Sequence, residues 1–192
     1  MADASTEMDE VIGEIRRSVA ALCENYPGEY WREKDRDREY PTEFVKALTD
    51  AGFLAVLVPE EYGGMGANVF DTMLVLEEIA KGCYVTSMAV LGEVGTQTRI
   101  IATFAPKPLK DKWLPAIADG KAILAICMTE PDVGSDLGRM RTNAEVKGGK
   151  VILNGAKTLI SRAEEADLFI IFTRVNGVDG SKGIGCVLVE KD

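Results

Sequence analysis

Two short stretches of the sequence decide how the rest of the chain is interpreted. Residues 128–136 read MTEPDVGSD, and residues 153–161 read LNGAKTLIS. Taken singly, each is an ordinary turn, because Pro fixes one backbone angle, Gly frees another, and Asp or Ser accepts backbone hydrogen bonds. Asn154-Gly155 could equally be one more hairpin turn. Their meaning therefore depends on the segments around them.

The segments that surround the two stretches are patterned as β-strands. Continuous apolar runs or alternating patterns predict strands at residues 122–128, 140–146, 151–153, 167–175 and 185–189. The sequence Lys147-Gly148-Gly149-Lys150 predicts a tight hairpin that leads into the third of these strands. The first stretch thus leaves the end of a strand.

The chain before these strands is patterned as helices. Apolar residues at helical spacing, with Pro, Asn or Gly at the ends, predict helices at residues 11–22, 41–52, 69–80, 84–104 and 109–118. Asn68 is the expected N-cap of the third helix. Residues 31–39 are dense in charges of both signs, which favours a solvated surface segment.

The change from helices to strands falls near Lys121 and sets the predicted organisation. We expect an α+β fold in which an N-terminal all-helical domain, residues 1–120, precedes a partial antiparallel β-barrel-like domain, residues 121–192. Helices followed by strands indicate segregated layers and not alternating βαβ units.

Composition excludes several classes of protein. A formal charge of −9 and an isoelectric point near 4.7 argue against nucleic acid as the main partner. No apolar run approaches the roughly 18 residues of a membrane span, so no span is expected. The chain has no His, and its four Cys are widely spaced, which predicts neither a metal site nor a disulfide framework. We expect a cytoplasmic protein whose chemistry comes from a bound cofactor.

Together, in this order and at this separation, the two stretches resemble the acyl-CoA dehydrogenase family. The family pattern is Thr-Glu-Pro-x-x-Gly-Ser-Asp followed by Asn-Gly-x-Lys-x-Trp-Ile-Thr/Ser. The Pro-Glu-x-x-Gly-Gly sequence at residues 59–64 and the Lys-Trp-Leu-Pro sequence at residues 112–115 also lie where that family has them. The resemblance covers nearly the whole chain. It implies a flavoprotein of fatty acid metabolism with FAD as the cofactor.

The resemblance also implies roles for individual residues. Met128 and Thr129 match positions that donate hydrogen bonds to the flavin ring near N1 and O2, and Ser161 matches a hydroxyl residue near N5 and O4. Ser135 matches the residue that bonds the FAD pyrophosphate and lies beside the substrate pantetheine. Leu159 stands where most relatives have a tryptophan along the flavin edge, so aliphatic surface replaces a π surface there.

A substrate pocket is expected along residues 91–99, where Gly92, Gly95 and Arg99 are candidate lining residues. Arg99 has a simpler interpretation as a surface or interhelix ion-pair partner. Glu130 is interpreted as a structural residue that pairs at the surface or accepts backbone hydrogen bonds. No catalytic residue is assigned in this stretch of chain, because the family takes its glutamate base from a C-terminal helical domain.

The implied activity is α,β-dehydrogenation of an acyl-CoA thioester, with hydride transfer to FAD and electrons passed to an electron-transfer flavoprotein. We expect the chain to be a fragment that is inactive alone and a homo-oligomer when full length. Acyl-CoA oxidases, flavin monooxygenases and CoA-linked reductases share the scaffold and stay open as alternatives. A noncatalytic assembly module is an alternative of a different class.

Overall fold

The computed structural model describes residues 4–83 and 93–191, which form two compact units, Met1–Lys121 and Ala122–Asp192. In the described part of the first unit, six α-helices run in chain order: α1 Ala4–Cys23, α2 Gly28–Asp37, α3 Thr42–Asp50, α4 Val69–Gly82, α5 Glu93–Phe104 and α6 Lys107–Ala118. No helix among the described residues is long and apolar enough to cross a membrane.

The core of the helical unit forms where α1, α3 and α4 meet. Val19 of α1, Phe44 and Leu48 of α3, and Val75 and Ile79 of α4 are each at most 2% exposed. These residues recur at helical spacing, so each helix turns one apolar face inward. Phe44 also packs edge-to-face on nearby aromatic rings, which fixes how the α1–α3 region is assembled.

The N-terminus of α4 confirms the predicted cap. The side chain of Asn68 accepts hydrogen bonds from the N–H groups of Phe70 and Asp71, and the side chain of Asp71 accepts one from the N–H of Asn68. This reciprocal arrangement is a capping box, and it satisfies donors that the first helical turn leaves free. Residues 84–92 of the predicted fourth helix lie outside the described residues, and the remainder forms α5.

The charged segment at residues 31–39 is mostly helical, which the sequence interpretation missed. It lies largely within α2, a helix with no buried residues. A solvated face was expected and is present. The helix was missed because its apolar positions are too few to give a periodic signal, while its Arg, Lys and Glu residues are good helix formers.

The second unit is built on five strands: β1 Leu124–Cys127, β2 Asn143–Lys147, β3 Lys150–Asn154, β4 Leu168–Val175 and β5 Ile184–Glu190. β2 and β3 form the predicted hairpin, and β5 pairs antiparallel with β4. Gly148 and Gly149 both have positive φ, at 58° and 74°, as a two-residue hairpin turn requires. Leu168 and Ile170 of β4 are fully buried.

The α+β class is confirmed, but the sheet is mixed where an antiparallel, barrel-like arrangement was expected. β1 and β2 both pair with β4 in parallel, through Leu124↔Leu168 and Asn143↔Arg174 respectively. The described strands follow the order β1-β4-β2-β3, with β5 on β4, and this path does not close. Parallel pairing needs a long crossover, and the chain between β1 and β4 supplies one that contains both motifs.

Candidate functional site

The site is formed by two loops that leave strands β1 and β3, which are not adjacent in the sheet. The first loop, residues 128–136, follows β1, and the second, residues 155–161, follows β3. The N–H of Thr158 donates to the carbonyl oxygen of Thr129 at 3.0 Å. The two stretches that stand out in the sequence are therefore in direct contact in the fold.

Glu130 anchors the first loop from inside. It is 5% exposed, and its two carboxylate oxygens accept hydrogen bonds from the backbone N–H groups of Arg141 at 2.7 Å and Thr142 at 2.9 Å. The expected backbone role is confirmed. The expected surface pairing is wrong, because the ion pair of Glu130 is buried.

Lys157 joins the second loop to the first. Its Nζ lies 3.0 Å from Oε1 of Glu130 and 3.0 Å from the carbonyl oxygen of Met128, and both side chains are at least nine-tenths buried. A buried ammonium must be paired and hydrogen-bonded to be tolerated. Lys157 thus spans the two loops and holds the end of β1.

The electrostatics of Glu130 follow from these contacts. Burial disfavours the charge and by itself would raise the pKa of Glu130, but the hydrogen bonds from Thr142, Arg141 and Lys157 outweigh it and lower the pKa to about 2. The carboxylate is therefore ionised and fully engaged at neutral pH. It has a structural role and is a poor proton acceptor there.

Gly155 permits the close approach of the second loop. A Cβ at this position would lie 2.4 Å from Oγ1 and 2.7 Å from Cα of Thr142, and the φ of Gly155 is 153°. Only glycine combines this backbone angle with so small a volume. The Asn154-Gly155 pair is therefore a packing device at the end of β3, and the hairpin interpretation does not apply.

The residues expected to contact the flavin differ in exposure. Met128 and Thr129 are half-buried, whereas Ser135 and Ser161 are exposed. Within the described residues, the hydroxyls of Thr129, Ser135 and Ser161 have no hydrogen-bond partner. The loops satisfy their buried groups internally and leave three hydroxyls open to a ligand.

Leu159 presents an apolar side chain to solvent from an unusual backbone. It is 88% exposed and has a φ of 56°, in the left-handed region that costs an L-residue energy. Arg162 follows with the same φ and donates from its guanidinium to the carbonyl oxygen of Leu124 at 3.2 Å. The turn is thereby tied to β1, which helps to hold Leu159 in its strained conformation.

Arg99, the second residue expected to contact substrate, belongs to the helical unit. It is exposed on α5 and lines an apolar groove of about 480 Å³ between α4 and α5, together with Gly95. The apolar side chains of this groove are Leu57, Val69, Met73, Leu76, Ile100 and Phe104. Arg99 lies at the surface and makes no ion pair with another described residue, so its interpretation as an ion-pair partner stays a prediction. Gly92 lies outside them.

Comparison with known protein families identifies both units. The model of the acyl-CoA dehydrogenase N-terminal domain matches residues 10–121, and that of the acyl-CoA dehydrogenase middle domain matches residues 125–192. The chain belongs to the acyl-CoA dehydrogenase family. The resemblance stated from the two motifs is confirmed, and the loops described above belong to the middle domain of that family.

Individual relatives agree with the family assignment. The acyl-CoA dehydrogenase FadE12 of Mycobacterium tuberculosis is 36% identical over 174 residues, which are 91% of this chain and 45% of FadE12. The structure of an FAD complex of PigA has a TM-score of 0.86 at 30% identity, over 94% of this chain and 48% of PigA. A glutaryl-coenzyme A dehydrogenase in complex with glutaryl-CoA has a TM-score of 0.84 at 30% identity, over 93% and 46%.

The chain spans less than half the length of these relatives. The residues present nevertheless suit the flavin that acyl-CoA dehydrogenases use. Hydroxyls without partners among the described residues, and an exposed apolar side chain held in a strained turn, are features that a polar, planar cofactor would satisfy. Thr129, Ser135, Leu159 and Ser161 supply them.

Sequence reasoning missed the residues that assemble the acyl-CoA dehydrogenase loops. Lys157 lies in the second stretch, residues 153–161, but no role was predicted for it. Nothing in the sequence indicated that the backbone N–H groups of Arg141 and Thr142 would bind Glu130. A lysine in an otherwise apolar and glycine-containing stretch is the one hint the sequence offered, because a lysine there needs a buried acidic partner if the stretch packs inward.

Proposed function

We propose that this chain forms the flavin-binding half of an oxidoreductase that removes hydrogens from the Cα–Cβ bond of an acyl-CoA thioester. The cofactor is FAD, which when bound accepts the hydride from the β-carbon. The observation that carries the proposal is the direct contact between the two loops. The N–H of Thr158 donates a hydrogen bond to the carbonyl oxygen of Thr129, and Lys157 forms an ion pair with Glu130. The hydroxyls of Thr129, Ser135 and Ser161, which have no partner among the described residues, lie in or next to these loops.

Each open group has a proposed task. The N–H groups of Met128 and Thr129, with the Thr129 hydroxyl, donate to the flavin ring where negative charge develops on reduction. Ser161 donates to the opposite part of the ring and orients it. The apolar surface of Leu159 covers the ring edge. A preorganised donor set is effective because it needs no rearrangement when the charge appears.

Two residues are proposed to contact the thioester. Ser135 follows Gly134, at which an added Cβ would meet no atom within 4 Å, so the chain here is open to a pyrophosphate and the neighbouring pantetheine. Arg99 and the groove on α5 are proposed to receive part of the acyl substrate. The assignment uses the exposure of both side chains and the apolar lining around Arg99.

The remaining parts of the proposal concern the whole protein. We place the glutamate base outside these 192 residues, since the one buried carboxylate of the described loops, Glu130, is engaged by three donors. Without that base, the chain alone is expected to have no dehydrogenase activity. It is also expected to bind FAD weakly. The full-length protein is proposed to be a cytoplasmic homo-oligomer of fatty acid metabolism that reduces an electron-transfer flavoprotein.

The first test separates cofactor binding from turnover. FAD is titrated into the chain and flavin fluorescence is followed, with Ser161→Ala and Ser135→Ala as variants and Ser181→Ala, also exposed, as the matched control. We expect the first two to weaken FAD binding several-fold, in line with about 1 kcal/mol for a hydrogen bond, and the control to leave it unchanged. Equal affinity in all four proteins would contradict the site assignment.

The second test identifies the reaction. The full-length polypeptide is purified, and acyl-CoA thioesters of different chain length are added without oxygen while the flavin absorbance is followed. Bleaching by a thioester supports the dehydrogenase. Rapid recovery of the absorbance with oxygen would instead favour an oxidase or monooxygenase, bound flavin that no thioester bleaches would favour the reductase or the noncatalytic module, and absence of flavin would overturn the cofactor assignment.

A further inference from the structure

The apolar groove on the helical unit is built differently from an ordinary helix surface. Its rim exposes large apolar side chains, with Val69 at 45%, Met73 at 56% and Phe104 at 77% exposure. Exposed apolar side chains are common singly, but a set that lines one concave surface marks a binding site. The volume of about 480 Å³ lies in the range of small-molecule sites.

The polar groups of the groove restrict what it can bind. Arg99 is the only charged residue among those that line it in the described structure, and the other polar groups there are threonine hydroxyls. Arg99 makes no ion pair or hydrogen bond with another described residue. An unpaired guanidinium above an apolar surface is complementary to an anion that carries an alkyl chain.

Arg99 also lies where two hollows join. A second hollow, lined by Leu57, Asn68, Phe70 and Ala102, shares Arg99 with the first. Gly95 lines the first hollow next to Leu57, and a Cβ at this position would lie 3.4 Å from Cδ1 of Leu57. A chain laid along the groove would thus pass Gly95 and bring its head group to Arg99.

We propose that this groove binds free fatty carboxylates, with the alkyl chain along α4 and α5 and the carboxylate on Arg99. The ligand differs from the thioester considered above, because it is a small monoanion without a nucleotide. Binding of this kind would let a free fatty acid compete for the surface that we propose for the acyl substrate. Binding of a fatty carboxylate does not require flavin. This proposal can therefore fail while the proposed function holds, and the proposed function can fail while this proposal holds.

The test measures binding of decanoate to the flavin-free chain by calorimetry, at concentrations where decanoate is monomeric, with decanol as the uncharged analogue. Arg99→Gln is expected to weaken decanoate binding about fivefold, as for an exposed charge pair, and to leave decanol binding unchanged. Met73→Glu, at an exposed position, should abolish binding of both by placing a carboxylate in the groove. The matched controls are Arg38→Gln and Val178→Glu, which change an exposed arginine and an exposed valine outside the groove.

Each other outcome overturns the proposal. Absence of saturable decanoate binding would do so directly. Equal effects of Met73→Glu and Val178→Glu would indicate nonspecific adsorption, and decanoyl-CoA binding that depends on Arg99 while decanoate does not bind would assign the groove to the thioester alone. A change of sedimentation coefficient in Met73→Glu without any fatty ligand would assign the groove to contact between copies of the chain.

Discussion

Lys157 Nζ lies 3.0 Å from Oε1 of Glu130, and this buried pair joins the two loops of the candidate flavin site. The pair has a second consequence, because Lys157 also donates to the carbonyl oxygen of Met128. The Lys157 ammonium therefore connects the second loop both to Met128, at the end of β1, and to Glu130 in the first loop. The Glu130 carboxylate neutralises the charge of Lys157, and the buried Lys157 side chain is not available to a ligand.

Lys157→Met is expected to destabilise the β unit strongly. Removing one partner leaves the Glu130 carboxylate buried without its ion pair, which costs about 3 to 5 kcal/mol. The double variant Glu130→Gln with Lys157→Met should lose less than the sum of the single variants, because it leaves no unpaired charge. Thermal unfolding followed by circular dichroism measures this. Lys121→Met, which breaks an exposed pair with Asp119, is the control and should cost under about 1 kcal/mol.

Acid should unfold the β unit through Glu130. Its folded pKa of about 2 lies below the ordinary value of 4.5, so its contribution to stability is present above pH 4.5 and is lost as the pH falls from 4.5 towards 2. The shift corresponds to a contribution on the order of 3 kcal/mol. Urea unfolding at a series of pH values checks this. In Glu130→Gln the slope over that pH window should flatten, and an unchanged slope would assign the acid sensitivity to other carboxylates.

Gly155→Ala is expected to displace the second loop. The added Cβ would lie within 2.7 Å of three Thr142 atoms and would require a strained backbone angle, which together cost on the order of 2 kcal/mol or more. Gly134→Ala is the matched control, since nothing lies within 4 Å of its Cβ position. Differential scanning calorimetry compares the two melting temperatures. Equal melting temperatures would show that the approach to Thr142 is easily relaxed.

Leu159→Asn should separate stability from cofactor binding. Leu159 is 88% exposed, so its replacement removes almost no buried surface, and Asn tolerates the left-handed backbone better. We expect unchanged or slightly higher stability together with weaker FAD binding, as measured by melting temperature and by flavin titration. Val178→Asn, also at an exposed apolar position, should change neither. Lower stability with unchanged FAD affinity would mean that Leu159 serves the fold.

The sequence was sufficient to predict most of the secondary structure, because each correct element has a local cause. The capping box at Asn68 and the Gly148-Gly149 turn are local features whose residue types are nearly unique to the conformation they adopt. Helix α2 was missed because helix propensity without apolar periodicity is a weak signal. The parallel pairing of β1 with β4 was missed because strand partners are chosen by long-range packing.

The sequence predicted which positions belong to the candidate site, but it did not predict the contacts that hold its two loops together. The resemblance selected Met128, Thr129, Ser135, Leu159 and Ser161, and their exposure is compatible with ligand contact, while their roles stay predictions. The role of Lys157 could not be inferred, since it depends on a buried partner from another loop. A pocket lined by Gly95 and Arg99 was expected from the resemblance, but the contribution of α4 to that groove was not, because apolar residues at helical spacing usually indicate a core face.

The pairing of Leu124 with Leu168 joins two strands of the second unit that are far apart in the sequence. The hairpin of β2 and β3 involves only local contacts, but β1 can pair only after β4 has been synthesised, and both candidate loops lie between β1 and β4 in the chain. We therefore expect Thr129 and Ser161 to reach their described positions only when β1 has paired with β4. If the loops bind flavin as we propose, a nascent or partly unfolded chain would not capture it, and cofactor capture would report on completed folding of this unit.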